Sequence, residues 1–235
     1  TVPEIKEVLG VSESTIRRDI IALDQEGRLT KVFGGAIALR TAQIVNKELS
    51  MVQKKDLQTA EKQAIARYAA SLIEPDDCVY LDAGTSTGWM IEYIRETQAT
   101  YVTNALSHAK RLADKGFHVI LIGGEPKSST DAIVGAEAVV NLQKYHFSKG
   151  FFGTNGVEQN GGFTTPDARE AMVKQTAVKN TQLANRYFLA ASSKFGEVYA
   201  VTFAGFEGGV ILTEAPVQES LPKSVRVVNV NQPEQ

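Results

Sequence analysis

A mostly parallel α/β sheet preceded by a small helix-turn-helix unit is the fold class that this sequence predicts. Three observations lead there. Short apolar runs alternate with helical stretches from about residue 59 to residue 230, the pattern of a parallel sheet covered on both faces. Loops rich in Gly, Thr, Ser and Asn follow those runs, where open α/β sheets place their ligands. Ahead of them, two short helical patterns flank Gly10, as in a helix-turn-helix.

The first helix, over 3–9, puts Ile5, Val8 and Leu9 on one face, which predicts that all three pack inward. Gly10 breaks it, Val11 is placed to plug the turn, and Ser12 is a good N-cap for the second helix. There Ile16, Ile20 and Leu23 form the apolar stripe, leaving Ser12, Ser14, Thr15, Arg17 and Arg18 off it. Short hydroxyls and arginines at a helix start suit contacts to phosphates and base edges. Gly27 ends the helix, and β-prone residues 28–37 around Gly34-Gly35 read as the hairpin of a winged helix, with Arg28 and Lys31 placed to reach phosphates. Two short helices around a glycine also occur in domains that never meet DNA. Residues 1–40 carry six basic and six acidic side chains, so the basic residues must act by placement rather than by a general positive field.

Residues 41–58 read as a polar, partly helical connector. A helix over 59–73 follows, burying Ile65, Tyr68, Ala69, Leu72 and Ile73, and 75–77 stops it. Strands are expected at 78–81, 100–103, 118–122, 147–152, 187–191, 210–212 and 225–230, and helices at 89–95, 107–115, 136–145 and 167–179. The domain boundaries that follow are 1–40 for the DNA-binding head, 41–58 for the linker and 59–235 for a sensor-like domain.

The loop chemistry is most pointed at 82–88. Gly84 lets the backbone turn, Thr85, Ser86 and Thr87 offer hydroxyls, and the start of a helix attracts anions. A phosphate grip follows from that chemistry, although a capped strand-to-helix turn has the same composition. Neither nucleotide glycine motif is present. Asn104, Gly123 and Gly124 end the next two strands, and Lys194 lies in the loop after a later one. Lys194 and Lys62 are candidate phosphate partners or solvated lysines. Asp82 and Glu170 suit sugar hydroxyls, or else serve as an N-cap and a surface charge.

Composition bounds the rest. With 235 residues, 43% hydrophobic, the chain can bury a full core, and its net charge of −2 argues against a protein that coats nucleic acid. No apolar run reaches the ~18–20 residues that span a membrane, and no signal peptide is visible, so a cytoplasmic location is expected. Cys78 has no second cysteine, and His108, His118 and His146 lack metal-ligand spacing; no metal and no cofactor are expected.

The Ser-Glu-Ser-Thr-Ile-Arg-Arg-Asp run at 12–19, followed by Leu23, Gly27 and Gly34-Gly35-Ala36, resembles the N-terminal signature of the DeoR family of bacterial transcriptional repressors. Later motifs resemble the C-terminal sensor domain of the same family, in the same order. These are Glu-Lys-x-x-Ile-Ala at 61–66, Asp-Ala-Gly-Thr-Ser-Thr at 82–87, Val-Thr-Asn at 102–104, Gly-Gly at 123–124, Gly-Phe-Thr-Thr at 162–165 and Ser-Lys-Phe-Gly at 193–196. Phe33 stands where members usually carry His, and Ala191 where many carry Asp. The family's first helix would precede Thr1, so the head is expected to be truncated.

The resemblance implies a sensor domain similar to ribose-5-phosphate isomerase in fold, in which residues 84–87 grip a phosphate and Lys62 and Lys194 supply charge. It further implies a repressor of a sugar-utilisation operon, similar to those of lactose/tagatose or fructose phosphotransferase operons. The implied partners are operator DNA, a sugar of the tagatose-6-phosphate or fructose-1-phosphate class, and at least one further copy of the chain, because paired half-sites need paired heads. Two rivals remain: a sugar-phosphate isomerase with Asp82 or Glu170 as base, and a metabolite-binding adaptor that acts through protein partners. The helix-turn-helix speaks against the isomerase, which has no use for one, and the adaptor is favoured only if the natural protein lacks the missing first helix.

Overall fold

A computed structural model describes residues 1–26, 29–38, 44–45, 58–217, 221–222 and 225–232. The chain forms two compact units, Thr1–Gln43 and Ile44–Gln235.

In the first unit, α1 (Val2–Leu9) and α2 (Glu13–Gln25) are followed by a hairpin of β1 (Leu29–Val32) and β2 (Gly35–Ala38). Gly10 adopts the left-handed conformation that lets its N–H close α1 on the Lys6 carbonyl. Ser12 then caps α2, its hydroxyl accepting from the Thr15 N–H at 3.2 Å. Val2, Ile16 and Ile20 form a small core with Ile5, Leu29 and Ala36 packed against it. The inward face of α1 therefore differs from the expected one. Val8 and Leu9 are 81% and 64% exposed, and Val11 is exposed as well. The helical period was right but its phase was not: α2 and the hairpin reach only the start of α1, where the Val2 N–H bonds the Gly34 carbonyl.

The second unit is built on seven parallel strands in the order β16-β15-β12-β9-β4-β5-β6. These are β4 (Cys78–Leu81), β5 (Thr100–Thr103), β6 (His118–Leu121), β9 (Lys149–Gly153), β12 (Arg186–Leu189), β15 (Gly209–Thr213) and β16 (Arg226–Asn229). Its helices are α3 (Thr59–Ser71), α4 (Thr85–Tyr93), α5 (Leu106–Asp114), α6 (Ala136–Leu142) and α7 (Ala168–Lys179).

The period of two along each strand sorts the core into two layers. Val79 and Leu81 face Ile65, Ala69, Met90, Ile91 and Leu112 of α3, α4 and α5. Tyr80, between them, faces the opposite layer with Phe152 and Phe188, against Ala138 and Leu142 of α6 and Ala171, Val173 and Ala177 of α7. That second layer also holds a small antiparallel sheet of β10 (Gly156–Glu158), β11 (Gly162–Thr165) and β14 (Val201–Ala204). Phe163 from β11 stacks on Phe188 of the main sheet.

Two antiparallel additions were not anticipated. One is the three-stranded sheet; the other is the hairpin of β7 (Glu125–Lys127) and β8 (Ala132–Val134). The segment expected as a connector contains β3 (Ile44–Val45), which pairs in parallel with β13 (Val198–Tyr199); its remainder, and with it the expected partial helix, lies outside the described residues except for Gln58.

The strand order reverses between β4 and β9, since the chain builds β5 and β6 to one side of β4 and then β9, β12, β15 and β16 to the other. A crevice opens at such a reversal, outside the carboxyl ends of the strands.

Phe163→Ala should destabilise the second unit by about 3–5 kcal/mol, measured by urea unfolding. A loss below ~1 kcal/mol would mean that the small sheet does not help to close the core.

Candidate functional site

The residues after β4 and β9 meet at this reversal. Asp82 follows β4 and is 1% exposed. Its Oδ2 accepts from the Gly153 N–H at 3.1 Å and from the Lys174 ammonium of α7, which also donates to the Gly153 carbonyl at 3.0 Å. Burial pushes the Asp82 carboxyl up from its ordinary range, and the Lys174 charge pulls it back. The pair fixes α7 over the ends of two adjacent strands.

The loop then enters α4. Gly84 is the N-cap and offers no side chain to the first turn. A helix leaves its first N–H groups without intrahelical partners, so those of Thr85, Ser86 and Thr87 form an uncapped donor set. The three hydroxyls are not equivalent. Thr87 is buried, and its hydroxyl lies 2.6 Å from the Asp82 carbonyl and 3.1 Å from that of Gly84, so its proton closes the turn. Thr85 and Ser86 are half-buried at the mouth of the turn.

Asn104, after β5, braces this loop. Its Oδ1 accepts from Ala83 N–H at 2.9 Å and from the Tyr80 hydroxyl at 3.0 Å, while its amide donates to the Ile133 carbonyl at 3.2 Å. Burial and the nearby Asp82 charge push the Tyr80 hydroxyl well above the usual phenol range, so it remains a donor.

A second set of charges lies beside Asp82. Glu170, on the same face of α7 as Lys174 one turn away, accepts from the Thr130 hydroxyl at 2.5 Å and from Lys127 at 3.0 Å. Lys127 also pairs with Asp167 at 2.8 Å, and Asp167 caps α7 through the Arg169 and Glu170 N–H groups. Asp82 and Glu170 thus share one region. Both are already engaged by protein donors.

The remaining expected residues are placed as follows. Lys62 is buried in the first turn of α3; that helix returns to β4 through a short turn, which puts Lys62 towards the carboxyl edge of the sheet. Lys194 ends a short 3-10 turn, Ser192–Lys194, after β12, two strands from β4. Its ammonium makes no ion pair or hydrogen bond with a described residue, and burial pushes its pKa below the usual lysine value, partly offset by Glu197. Gly123 and Gly124 are exposed and lead into the β7–β8 hairpin; at Gly124 a Cβ would lie 2.7 Å from Ile133 Cγ2 and the Val134 carbonyl, which accounts for that glycine by packing.

In the first unit, the Ser12 hydroxyl bonds those of Ser14 and Thr15 at 2.8 and 2.9 Å. Arg17 and Arg18 are exposed, loosely paired with Glu13 and Asp19 at 3.6 and 3.8 Å. Lys31 is exposed, its backbone N–H held by Asp24. Arg28 lies outside the described residues.

Lys174, Lys127 and Thr130 were not anticipated as part of the site. A lysine four residues after Glu170 on an amphipathic helix reads as a surface pair. The usable signal was that Lys174 falls one residue from the buried Val173 in a stretch whose apolar face is wide.

Two family models match this chain. The DeoR-like helix-turn-helix domain covers residues 1–42 and the DeoR C terminal sensor domain covers residues 57–212. The chain belongs to the DeoR family. It is 42% identical over 213 residues to the uncharacterized HTH-type transcriptional regulator FruR of Bacillus subtilis, covering 90% of this chain and 83% of that protein. It is 41% identical over 197 residues to the lactose phosphotransferase system repressor of Staphylococcus aureus, covering 83% and 76%. Among solved structures, ribose 5-phosphate isomerase A of Neisseria gonorrhoeae matches with a TM-score of 0.42 at 12% identity, over 62% of this chain and 55% of that one. As a DeoR-family member the chain is a transcriptional regulator with a DNA-binding head and a sensor domain. Among the described residues no helix is long and apolar enough to cross a membrane, and no cluster of His, Cys, Asp and Glu could hold a metal ion.

Lys174→Met should cost about 3–5 kcal/mol of stability at pH 7, because it leaves the Asp82 carboxylate buried without its partner. The loss should shrink at pH 5: with the lysine gone the folded-state pKa of Asp82 rises further, so lower pH favours the neutral folded form. Urea unfolding at the two pH values checks this, and a loss that grows on acidification would contradict it.

Proposed function

We propose that this regulator represses a sugar phosphotransferase operon in the cytoplasm and is released from its operator by a phosphorylated sugar of the fructose-1-phosphate or tagatose-6-phosphate class. The observation that carries the reading is the uncapped first turn of α4 at the reversal of strand order. It presents three backbone donors at a helix N-terminus, where a phosphate is favoured by both hydrogen bonding and the helix dipole. The relative named as a lactose phosphotransferase system repressor supports a phosphotransferase sugar as the effector class.

In this reading Gly84, Thr85, Ser86 and the Thr87 N–H hold the phosphate, while Asp82, Asn104 and Thr87 Oγ1 set the loop's shape. Lys194 and Lys62 add positive charge. Ala191, three residues before Lys194, is small and buried, so no carboxylate at that position neutralises the lysine. Glu170 and the Gly123-Gly124 turn bound the sugar end. Arg17, Arg18, Arg28 and Lys31, with Ser12, Ser14 and Thr15, engage the operator.

Release requires linkage: the sugar phosphate must bind more tightly to an arrangement of the sensor domains that spaces the paired heads wrongly. The assembly is a dimer or a higher oligomer, and operator affinity falls with salt as phosphate contacts are screened. The engaged state of Asp82 and Glu170 supports sensing over isomerisation, since a general base needs a free carboxylate over the sugar carbon.

The test is a calorimetric titration with sugar phosphates and their unphosphorylated parents, each ligand being recovered and analysed. Saturable binding of a phosphorylated sugar, recovered unchanged, is expected. Recovery of an isomer would make the protein an enzyme, and binding of the parent sugar alone would remove the phosphate grip.

Two variants separate the two functions. Arg17→Ala should weaken operator binding by roughly 5- to 20-fold with sugar-phosphate affinity unchanged. Lys194→Ala should leave operator binding intact and abolish release by the sugar phosphate. Fluorescence anisotropy of a labelled operator reads both, and equal loss of both activities in either variant would contradict the division.

Binding should also take up protons at alkaline pH. An anion favours the charged form of Lys194 and raises its depressed pKa, so affinity falls as pH rises through that value. Enthalpies measured in buffers of different ionisation heat should show this uptake, and Lys194→Ala should remove it.

A further inference from the structure

The loop Gly153-Thr154-Asn155-Gly156 leaves β9 at the reversal of strand order, where Gly153 takes part in the Asp82–Lys174 contact. Thr154 is satisfied locally: its hydroxyl donates to the Gly156 carbonyl at 2.8 Å and closes the bend. Asn155 is satisfied only in part. Its backbone N–H bonds the Thr164 carbonyl at 3.1 Å, and its Oδ1 accepts from the Thr165 hydroxyl at 3.2 Å. Its Nδ2, which carries two donor hydrogens, has no partner among the described residues, and it is open rather than sealed in.

The small sheet decides where that amide points. Val157 and Phe163 pair across β10 and β11 and are buried in the second layer. Side chains alternate along a strand, so Asn155 and Thr165, each two residues beyond that pair, lie on the same inner face, as their hydrogen bond requires. Asn155 is half-buried there, at the rim of the small sheet. Thr165 is 0% exposed, and Asn155 is the one hydrogen-bond partner of its hydroxyl among the described residues. Burying a hydroxyl costs free energy that a valine of similar shape would avoid. What the hydroxyl does in return is fix the amide: with Oδ1 held by Thr165, the NH2 group is turned away from the core.

The crevice lies on that side. β4 and β9 run next to each other with Leu81 opposite Phe151, the Asp82 N–H bonds the Phe151 carbonyl, and the Gly153 N–H bonds Asp82 Oδ2. Neighbouring strands lie about 4.8 Å apart. The turn at 84–87 and the loop at 154–155 thus leave adjacent strand ends, directly after that contact. A phosphate on the first turn of α4 leaves its sugar beside the ends of β4 and β9. A donor pair lacking an acceptor suits a hydroxyl or ring oxygen there, and a site that hydrogen-bonds such an oxygen discriminates strongly against ligands without it.

We propose that Asn155 is a specificity-determining residue of the effector site: its Nδ2, aimed by Thr165, donates to an oxygen of the sugar whose phosphate sits on the first turn of α4. This deepens the phosphate-site reading given above and rests on it. The amide is neutral, so it selects for the sugar part of the ligand and adds little to the grip on a bare phosphate. Thr165 is a positioning residue that acts through Asn155.

The experiment titrates the intact chain, Asn155→Leu and Thr165→Val calorimetrically with fructose 1-phosphate, tagatose 6-phosphate and inorganic phosphate, with a thermal melt of each protein. Leucine keeps the bulk of Asn155 without its N–H groups, and valine keeps the shape of Thr165 without its hydroxyl. For the sugar phosphate that the wild type binds more tightly, Asn155→Leu should lose about five- to tenfold in affinity, as for one oriented hydrogen bond. Thr165→Val should lose about two- to threefold, and both variants should bind inorganic phosphate within about twofold of the wild type. Unchanged sugar-phosphate affinity in Asn155→Leu, or an equal loss for inorganic phosphate, would overturn the inference, and unchanged affinity in Thr165→Val would overturn the role given to Thr165. A wild type that binds none of the three ligands would overturn the phosphate-site reading and this inference with it. One that binds inorganic phosphate but neither sugar phosphate would overturn this inference and leave the grip standing. Should a variant fail to fold, or inorganic phosphate bind too weakly for comparison, the Asn155 side-chain amide of the wild type decides. Its two N–H resonances should move on saturation with the sugar phosphate, and resonances left in place would overturn the inference.

Discussion

The contact between Asp82 and Lys174 is the constraint on which the sensor domain's site depends. Asp82 follows β4 at the reversal of strand order, and Lys174 reaches it from α7 while also bonding the Gly153 carbonyl beside it. One lysine thus ties a helix to the ends of two neighbouring strands. The energetic cost of burying two charges is met only because each has several partners. The consequence for function is rigidity. The loop that starts at Ala83 leaves a fixed point, is braced by Asn104, and enters α4 with its first donors uncapped. An anion in the proposed site would then require little reordering, which is how preorganised sites gain affinity.

The two units divide the work along chemical lines. The head has a core of only a few apolar side chains and keeps its hydroxyls and arginines on the surface, where they can meet another polyanion. The sensor domain has two large apolar layers and buries charge pairs at both edges of its sheet, Lys149 with Asp77 at the amino edge and Asp82 with Lys174 at the carboxyl edge. Coupling between them is a free-energy difference between states of the whole assembly, and neither unit by itself contains it.

The parallel strands were legible because each is a short apolar run bounded by turn residues; β5 matched its expected bounds and β4 did too. Helix α4 was read as starting at 89, yet it begins at Thr85. Its first turn is made of hydroxyls, which carry no apolar period, and that turn is the proposed phosphate grip. The strands β10, β11 and β14 are three or four residues long and rich in glycine and threonine, so they read as loops; long-range pairing makes them strands. The composition of the loop at 82–88 was visible as chemistry, whereas Lys174 was not, because a buried charge is recognisable only once its partner is in place. Val8 and Leu9 show the converse: an apolar period on a two-turn helix gives a face, and the neighbouring elements choose which part of it is covered.

The most direct test of the account is an amide nitrogen–proton spectrum of the intact protein titrated with fructose 1-phosphate. The account predicts that the N–H resonances of Thr85, Ser86 and Thr87 move downfield together and saturate with the calorimetric affinity, as backbone donors do on meeting a phosphate. Saturable binding that leaves those three resonances in place, with the largest shifts elsewhere in the sensor domain, would contradict it.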